Sequence, residues 1–218
     1  MRAAVLDGTA DFVVNLADLP TLGEADATEF LDSNVLTSSM EMLLSQAFAR
    51  LAGNGSSTGI YKLSESMGGG KTQSMIVAGI LARFPHLSKG MEFHAPMPQA
   101  KPDVVASFTG RSTDKKVWVA IGDALGVSFA ADRAPSETEW RDALKDRAAL
   151  ILLDELAFYL VHAASHGSKE DGTRAATLAG ITLTNLFGAV RDYRECRRCV
   201  IVIADLQKDW EQGAMALL

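Results

Sequence analysis

After Arg2, basic residues are missing from the first part of this chain. Residues 7–41 carry eight acidic side chains and no lysine or arginine. Over all 218 residues, 21 Lys and Arg stand against 27 Asp and Glu, a net charge of −6. An acidic chain gains no general attraction to nucleic acid, so any such contact needs a local basic patch. Cysteine is equally scarce. Cys196 and Cys199 are the two present, too few for a disulfide framework, which fits a cytoplasmic setting. No apolar run approaches the roughly 20 residues of a membrane helix. The opening MRAAVLDGTADF has no basic segment leading into an apolar one, so neither a membrane span nor a secretion signal is predicted. Aromatics make up 7% of the chain, and Trp118, Trp140 and Trp210 read as packing residues. There is no internal repeat and no low-complexity tract.

What is present is a globular composition, 48% hydrophobic, in strands and helices that alternate. Residues 1–37, with Pro20 and Gly23 among their acids, read as a solvated acidic lead-in, and 38–218 as the folded core. Met40, Leu43, Leu44, Ala47, Phe48 and Leu51 form one helical stripe, with Ser38 and Glu41 as a capping box. Residues 59–63 suit a short strand and 72–84 a helix closed by Pro85. Four prolines between 85 and 102 predict an extended loop. Residues 104–108 suit a strand. Val117, Trp118, Ile121 and Leu125 suit a helix ending near Gly126, and Ser136 with Glu139 caps another running to Lys145. The runs 149–153 and 199–204 are continuously apolar, as in strands buried on both faces of a parallel sheet. Between them SHGSKEDGT reads as a loop, followed by helical spacing at Leu183, Leu186, Phe187 and Val190. The alternation predicts an α/β fold, a mostly parallel sheet with helices on both faces.

The chemistry concentrates at two strand ends. After the first strand comes SESMGGGKTQSM, whose Gly70-Lys71-Thr72 matches the end of the phosphate-loop pattern G-x-x-x-x-G-K-[ST]. Glu65 stands where the first glycine is expected. Glycines let backbone N–H groups surround phosphate oxygens, and the following helix adds its N-terminal partial charge. Met67, Gly68, Gly69, Gly70, Lys71 and Thr72 are therefore the candidate nucleotide cradle. Lys71 would reach the outer phosphates and the Thr72 hydroxyl would bind Mg²⁺. Glu65 is expected to point away from the phosphates and to be paired. Some eighty residues on, LILLDE ends a buried strand with two acids, at the edge where α/β ligand sites form. Asp154 suits the magnesium-holding position and Glu155 a general base on water; an acid there also serves as an ordinary helix N-cap. The last strand ends at Asp205, a candidate sensor of the γ-phosphate or a plain strand-end acid, with Gln207 a weaker substitute. No N-K-x-D base-reading motif occurs, which argues against a GTPase. Adjacent acids point to water as the acceptor, hence hydrolysis; a non-hydrolysing nucleotide-sensing scaffold and a small-molecule kinase are the alternatives.

Other residues admit two readings. Arg111 lies after the second strand, either a solvated loop residue or one that touches a neighbouring subunit's phosphate. Arg191, Arg194, Arg197 and Arg198 complement a helix C-terminus or make a nucleic-acid or subunit contact. Cys196-Arg-Arg-Cys199 is a lone C-x-x-C: it is a metal or redox pair, though without the further ligands of a zinc site, or Cys199 begins a buried strand and Cys196 is incidental.

The runs KLSESMGGGKTQSMIVAGILARFP and ALILLDELAFYL together resemble the ATPases of domain-of-unknown-function family 499. The resemblance runs from about Phe30 onward. It implies a large bacterial P-loop ATPase with an AAA+-like core, often linked with DNA modification and anti-phage defence. On it, Lys71 and Thr72 are the Walker-A pair, and Asp154 and Glu155 the Walker-B pair. ATP and Mg²⁺ follow as ligands, with a homo-oligomer and a DNA or DNA-modifying partner as expectations for the full-length protein. The chain ends soon after its last strand, and a C-terminal lid, a second sensor and an arginine finger are expected beyond it.

Overall fold

The structure is a computed structural model that describes residues 14–54, 58–63, 70–94, 97–111, 115–165 and 168–204. Its centre is a four-stranded, all-parallel sheet of β1 (Ile60–Leu63), β2 (Val104–Thr109), β3 (Ala149–Asp154) and β4 (Cys199–Ala204), in the order β1-β4-β3-β2. β3 explains the arrangement. Its six residues are all buried. Leu150 and Leu152 enter the core on one face, and Ala149, Ile151 and Leu153 that on the other. Alternate side chains point to opposite faces, so an unbroken apolar run is what a strand covered on both sides requires.

The first face carries α1 (Glu24–Asp32), α2 (Ser38–Leu51) and α3 (Lys71–Arg83); the second carries α4 (Val117–Leu125), α5 (Glu137–Leu144), α6 (Leu156–Ser165) and α7 (Lys169–Asp192). The connection leaving β1 thus crosses one face, and those leaving β2 and β3 cross the other. That change of side opens a crevice at the carboxyl ends of the strands, where ligands of such sheets bind.

Several helix boundaries follow from local chemistry. Ser136 caps α5, accepting from the Glu139 N–H, while the Glu139 carboxylate accepts from the Ser136 N–H at 2.9 Å. Gly126, at φ 71°, ends α4 in the left-handed region. Gly79 lets Leu19 lie against α3; a Cβ there would overlap the Leu19 side chain. Arg50, near the end of α2, donates to the carbonyls of Cys199 (2.7 Å) and Val190 (3.1 Å), tying α2 to the last turn of α7 and the start of β4. Cys196 and Cys199 are free and buried.

Four local expectations change. The described part of the lead-in is solvated on one side only. Val14, Leu16, Leu19, Leu22, Ala27, Phe30 and Leu31 are buried and join the first-face core, because this segment's apolar residues turn inward while its acids face out. Fully burying a side chain such as Leu19 is worth about 1.5–3 kcal/mol, which outweighs the composition signal. Thr37 rather than Ser38 caps α2, accepting from the Met40 N–H. This frees Glu41 to hold His94, whose N–H and Nδ1 lie 3.2 and 2.8 Å from its carboxylate. Residues 85–90 form a 3₁₀ turn opened by Pro85, whose fixed φ suits a first helical position. The stretch expected as a loop before α7 instead contains its start: Ser168 and Asp171 make a capping box, with Asp in the usual Glu position.

The α5 cap carries a pH signature. Hydrogen bonds from Arg133, then from the Ser136 backbone, bring the Glu139 carboxyl down from 4.5 to about 2. A lowered folded-state value stabilises the protein above the unfolded value, and that contribution is lost as pH falls. Glu139→Gln is therefore expected to flatten the loss of stability between pH 4.5 and about 2, read by thermal melts. Ser136→Ala is expected to cost about 1 kcal/mol, a fall of about 2–4 °C in Tm.

Candidate functional site at the strand ends

Parallel register assembles the site. Asp154 is level with Thr109 on β2 and Ala204 on β4, and Leu63 at the end of β1 is level with Ala204. α3 starts directly after Gly70, which sits in the left-handed region at φ 71°, ψ 21°. The Thr72 hydroxyl, in the first turn of α3, donates to the Asp154 carboxylate at 2.6 Å. The other Asp154 oxygen accepts from the Glu155 N–H at 2.9 Å. Two motifs 82 residues apart thus meet through a hydroxyl and a carboxylate.

Asp154 is one of three buried polar residues among those described. Burial pushes its carboxyl up from 3.8, and so does the Glu155 charge; the Thr72 hydroxyl and Lys71 pull it down. Glu155 has φ 54°, a left-handed conformation uncommon for a residue with a side chain and concentrated at functional sites. Gly110 makes room for it. A Cβ at Gly110 would overlap the Glu155 carbonyl oxygen, and the Gly110 N–H donates to the Asp154 carbonyl at 2.9 Å.

The Glu155 carboxylate is itself held. Arg111 Nε lies 2.8 and 2.9 Å from its two oxygens, and the Thr109 hydroxyl donates to it at 3.1 Å. Neither partner was legible as such: Arg111 reads from sequence as a loop arginine, and only the β2–β3 register brings it to Glu155. Farther along α6, Tyr159 packs edge-on to Phe108 and its hydroxyl accepts from the Val117 N–H at 3.2 Å.

Two cavities flank the N-terminus of α3. One, of about 480 Å³, is lined by residues 14–18, Thr72, Thr109, Arg111, Asp154 and Glu155. The other, of about 200 Å³, is lined by Thr37, Ser39, Leu43, Lys62, Leu63, Lys71 and Ser74. The carboxylates thus line the first cavity together with Arg111, and the two lysines line the second beside Thr37, Ser39 and Ser74. The donor set suits a hard cation beside a phosphate: hydroxyl and carboxylate oxygens are magnesium's preferred ligands, and a 13-residue helix points its N-terminus at the same place. Glu65, Met67, Gly68, Gly69, Asp205 and Gln207 lie outside the described residues. Of the basic cluster, Arg191 pairs with Asp192 at 2.7 Å, and Arg198 donates to the Leu51 carbonyl at 3.0 Å.

No protein-family model matches this chain, and no curated protein matches it. Among solved structures it is similar to a chain in a structure of Drosophila ORC bound to DNA, at 15% identity and a TM-score of 0.47. The match covers 97% of this chain and 48% of that one, so the chain spans about half the length of that relative.

A buried acid with a raised pKa takes its proton more readily folded than unfolded, so its charge destabilises the fold as pH rises past the unfolded value of about 3.8. Asn can still accept from the Glu155 N–H through its Oδ1 and donate its Nδ2 to the Thr72 hydroxyl oxygen, reversing that bond, without the charge. In metal-free protein at pH 7, Asp154→Asn is expected to raise Tm by about 1–4 °C, measured by calorimetry.

Proposed function

We propose that the chain is the core of a P-loop ATPase that binds and hydrolyses Mg·ATP. The observation that carries this is the 2.6 Å bond from Thr72 to Asp154, with Glu155 the next residue on. A phosphate-loop threonine and a strand-end acid meet at one point, and a carboxylate able to act on water stands beside them. Residues 67–72 would cradle the phosphates. Lys71 and the backbone N–H groups at the start of α3 would bind the outer oxygens and stabilise the charge that develops on them. Thr72 would hold Mg²⁺ directly and Asp154 through its water shell; the ion supplies charge neutralisation and a fixed orientation of the phosphate oxygens. Glu155 would orient water and accept its proton, after parting from Arg111. Asp205 is proposed as the γ-phosphate sensor.

The AAA+-like class, the link to DNA modification and anti-phage defence, a homo-oligomeric full-length protein and a cytoplasmic location are proposals carried by the resemblance of the two motifs. The α/β fold is compatible with all of them. The ion pair of Glu155 with Arg111 favours a second reading, a nucleotide-sensing scaffold in which the base stays sequestered.

The test is nucleotide binding and steady-state hydrolysis by the full-length protein, with and without duplex DNA. Lys71→Ala is expected to weaken Mg·ATP binding about 10- to 100-fold, the loss of one charge-assisted contact. Glu155→Gln is expected to retain binding and lose about 10²–10⁴-fold in turnover. Equal binding by wild type and Lys71→Ala would refute the site. Binding without turnover in the wild type would select the scaffold.

A further inference from the structure

The wall of the larger cavity includes five consecutive residues from the N-terminal segment. Residues 14–18 face Thr72, Asp154 and Glu155 across about 480 Å³, and Leu16–Asp18 form a 3₁₀ turn that packs against β2 and α3. The segment is anchored from below. Val14, Leu16 and Leu19 are buried, Leu19 fills the space that Gly79 leaves open, and the Arg83 guanidinium donates to the carbonyls of Leu19 and Leu22. Its polar residues stay outside the core. Asn15 and Asp18 are exposed, line the cavity and bond to each other at 3.2 Å. Ala17 and Pro20 also line another cavity of about 220 Å³, with Ser107, Thr109 and Lys115. This strap therefore borders two spaces, fixed by its apolar side chains and exposed at its polar ones.

Its position relative to the site selects what it would detect. It lies on the Thr72–Asp154–Glu155 side of the α3 N-terminus, opposite the lysine-lined cavity. On the reading above, that side holds the end of the phosphate chain, the metal and the water. The Asp18 carboxylate in that wall is repelled by bare phosphate and tolerates a phosphate neutralised by a cation. We infer that residues 14–18 are the γ-phosphate-side wall of the nucleotide site, and that their seating differs between a bound magnesium triphosphate and a bound magnesium diphosphate. The inference rests on the nucleotide reading and deepens it. It makes the N-terminal segment the element through which loss of the terminal phosphate is relayed outward, since the same segment continues over α3 into α1.

Hydrogen exchange of the peptide covering residues 14–22 tests this. The amides of Asp18, Leu19 and Thr21 donate within the segment, at 3.0, 3.4 and 3.0 Å, so their exchange reports its opening. The full-length protein is compared alone, with Mg·ADP, and with magnesium and a non-hydrolysable ATP analogue, each at saturation. Exchange about five-fold slower with the triphosphate than with the diphosphate is expected, the low end of ordinary coupling between sites. Leu19→Ala removes the anchor without altering a side chain that lines either cavity. It is expected to erase the difference and to lower the ratio of triphosphate to diphosphate affinity by a similar factor. Equal exchange in the two nucleotide states of the wild type, with both bound, overturns the inference and leaves the ATPase reading standing. Failure of the wild type to bind either nucleotide overturns both.

Discussion

Everything at this site depends on parallel pairing of β3 with both of its neighbours. Parallel strands share a direction, so their carboxyl ends lie along one edge and the loops that follow must meet there. With Asp154 level with Thr109 and Ala204, the ends of β2, β3 and β4 are aligned to a residue. A slip of one residue would turn β3's side chains to the opposite faces. Leu150 and Leu152 would exchange cores with Ala149, Ile151 and Leu153, and Asp154 would leave Thr72. The register is therefore held by packing on two sides, and the geometry at the strand ends inherits its precision from apolar contacts far from any charge.

The site itself works against stability. Asp154 carries a carboxylate into a buried position, and Glu155 holds a left-handed backbone that side chains disfavour. Both are retained because the surroundings leave no alternative. Gly110 closes against the Glu155 carbonyl, Tyr159 and Phe108 pack beneath it, and Thr72 and the Glu155 N–H satisfy both Asp154 oxygens. Backbone strain and a buried carboxylate are thus kept at one point, a combination that concentrates at functional sites. Arg111 adds to this by pairing with the Glu155 carboxylate.

Much of this was legible in the residues, for reasons that differ by element. The buried strands announced themselves as apolar runs because they are covered on both faces. α5 was legible from Ser136 and Glu139, because a capping box is satisfied within one turn. The meeting of Thr72 with Asp154 was predictable because each motif fixes its own strand end and a parallel sheet brings such ends together. What misled was composition averaged over a segment. The acids of residues 14–32 suggested solvent exposure, yet Leu16, Leu19 and Leu22 are spaced to reach the core between them. The polar stretch at 165–173 looked like a loop, although Asp171 completes the cap of a 24-residue helix.

The sequence alone determined which residues make up the candidate site, since a hydroxyl, a lysine and paired carboxylates stand directly after strands that their own apolar runs mark. It also determined the α/β class, because apolar period and punctuation are local properties. Only the tertiary structure decided which strands are neighbours, and hence that Arg111 faces Glu155 and that residues 14–18 wall the cavity. Those contacts join segments tens of residues apart, and no local pattern records them. They exist because burial on the two faces of the sheet selects a single arrangement in which all four strands and both cores are satisfied at once.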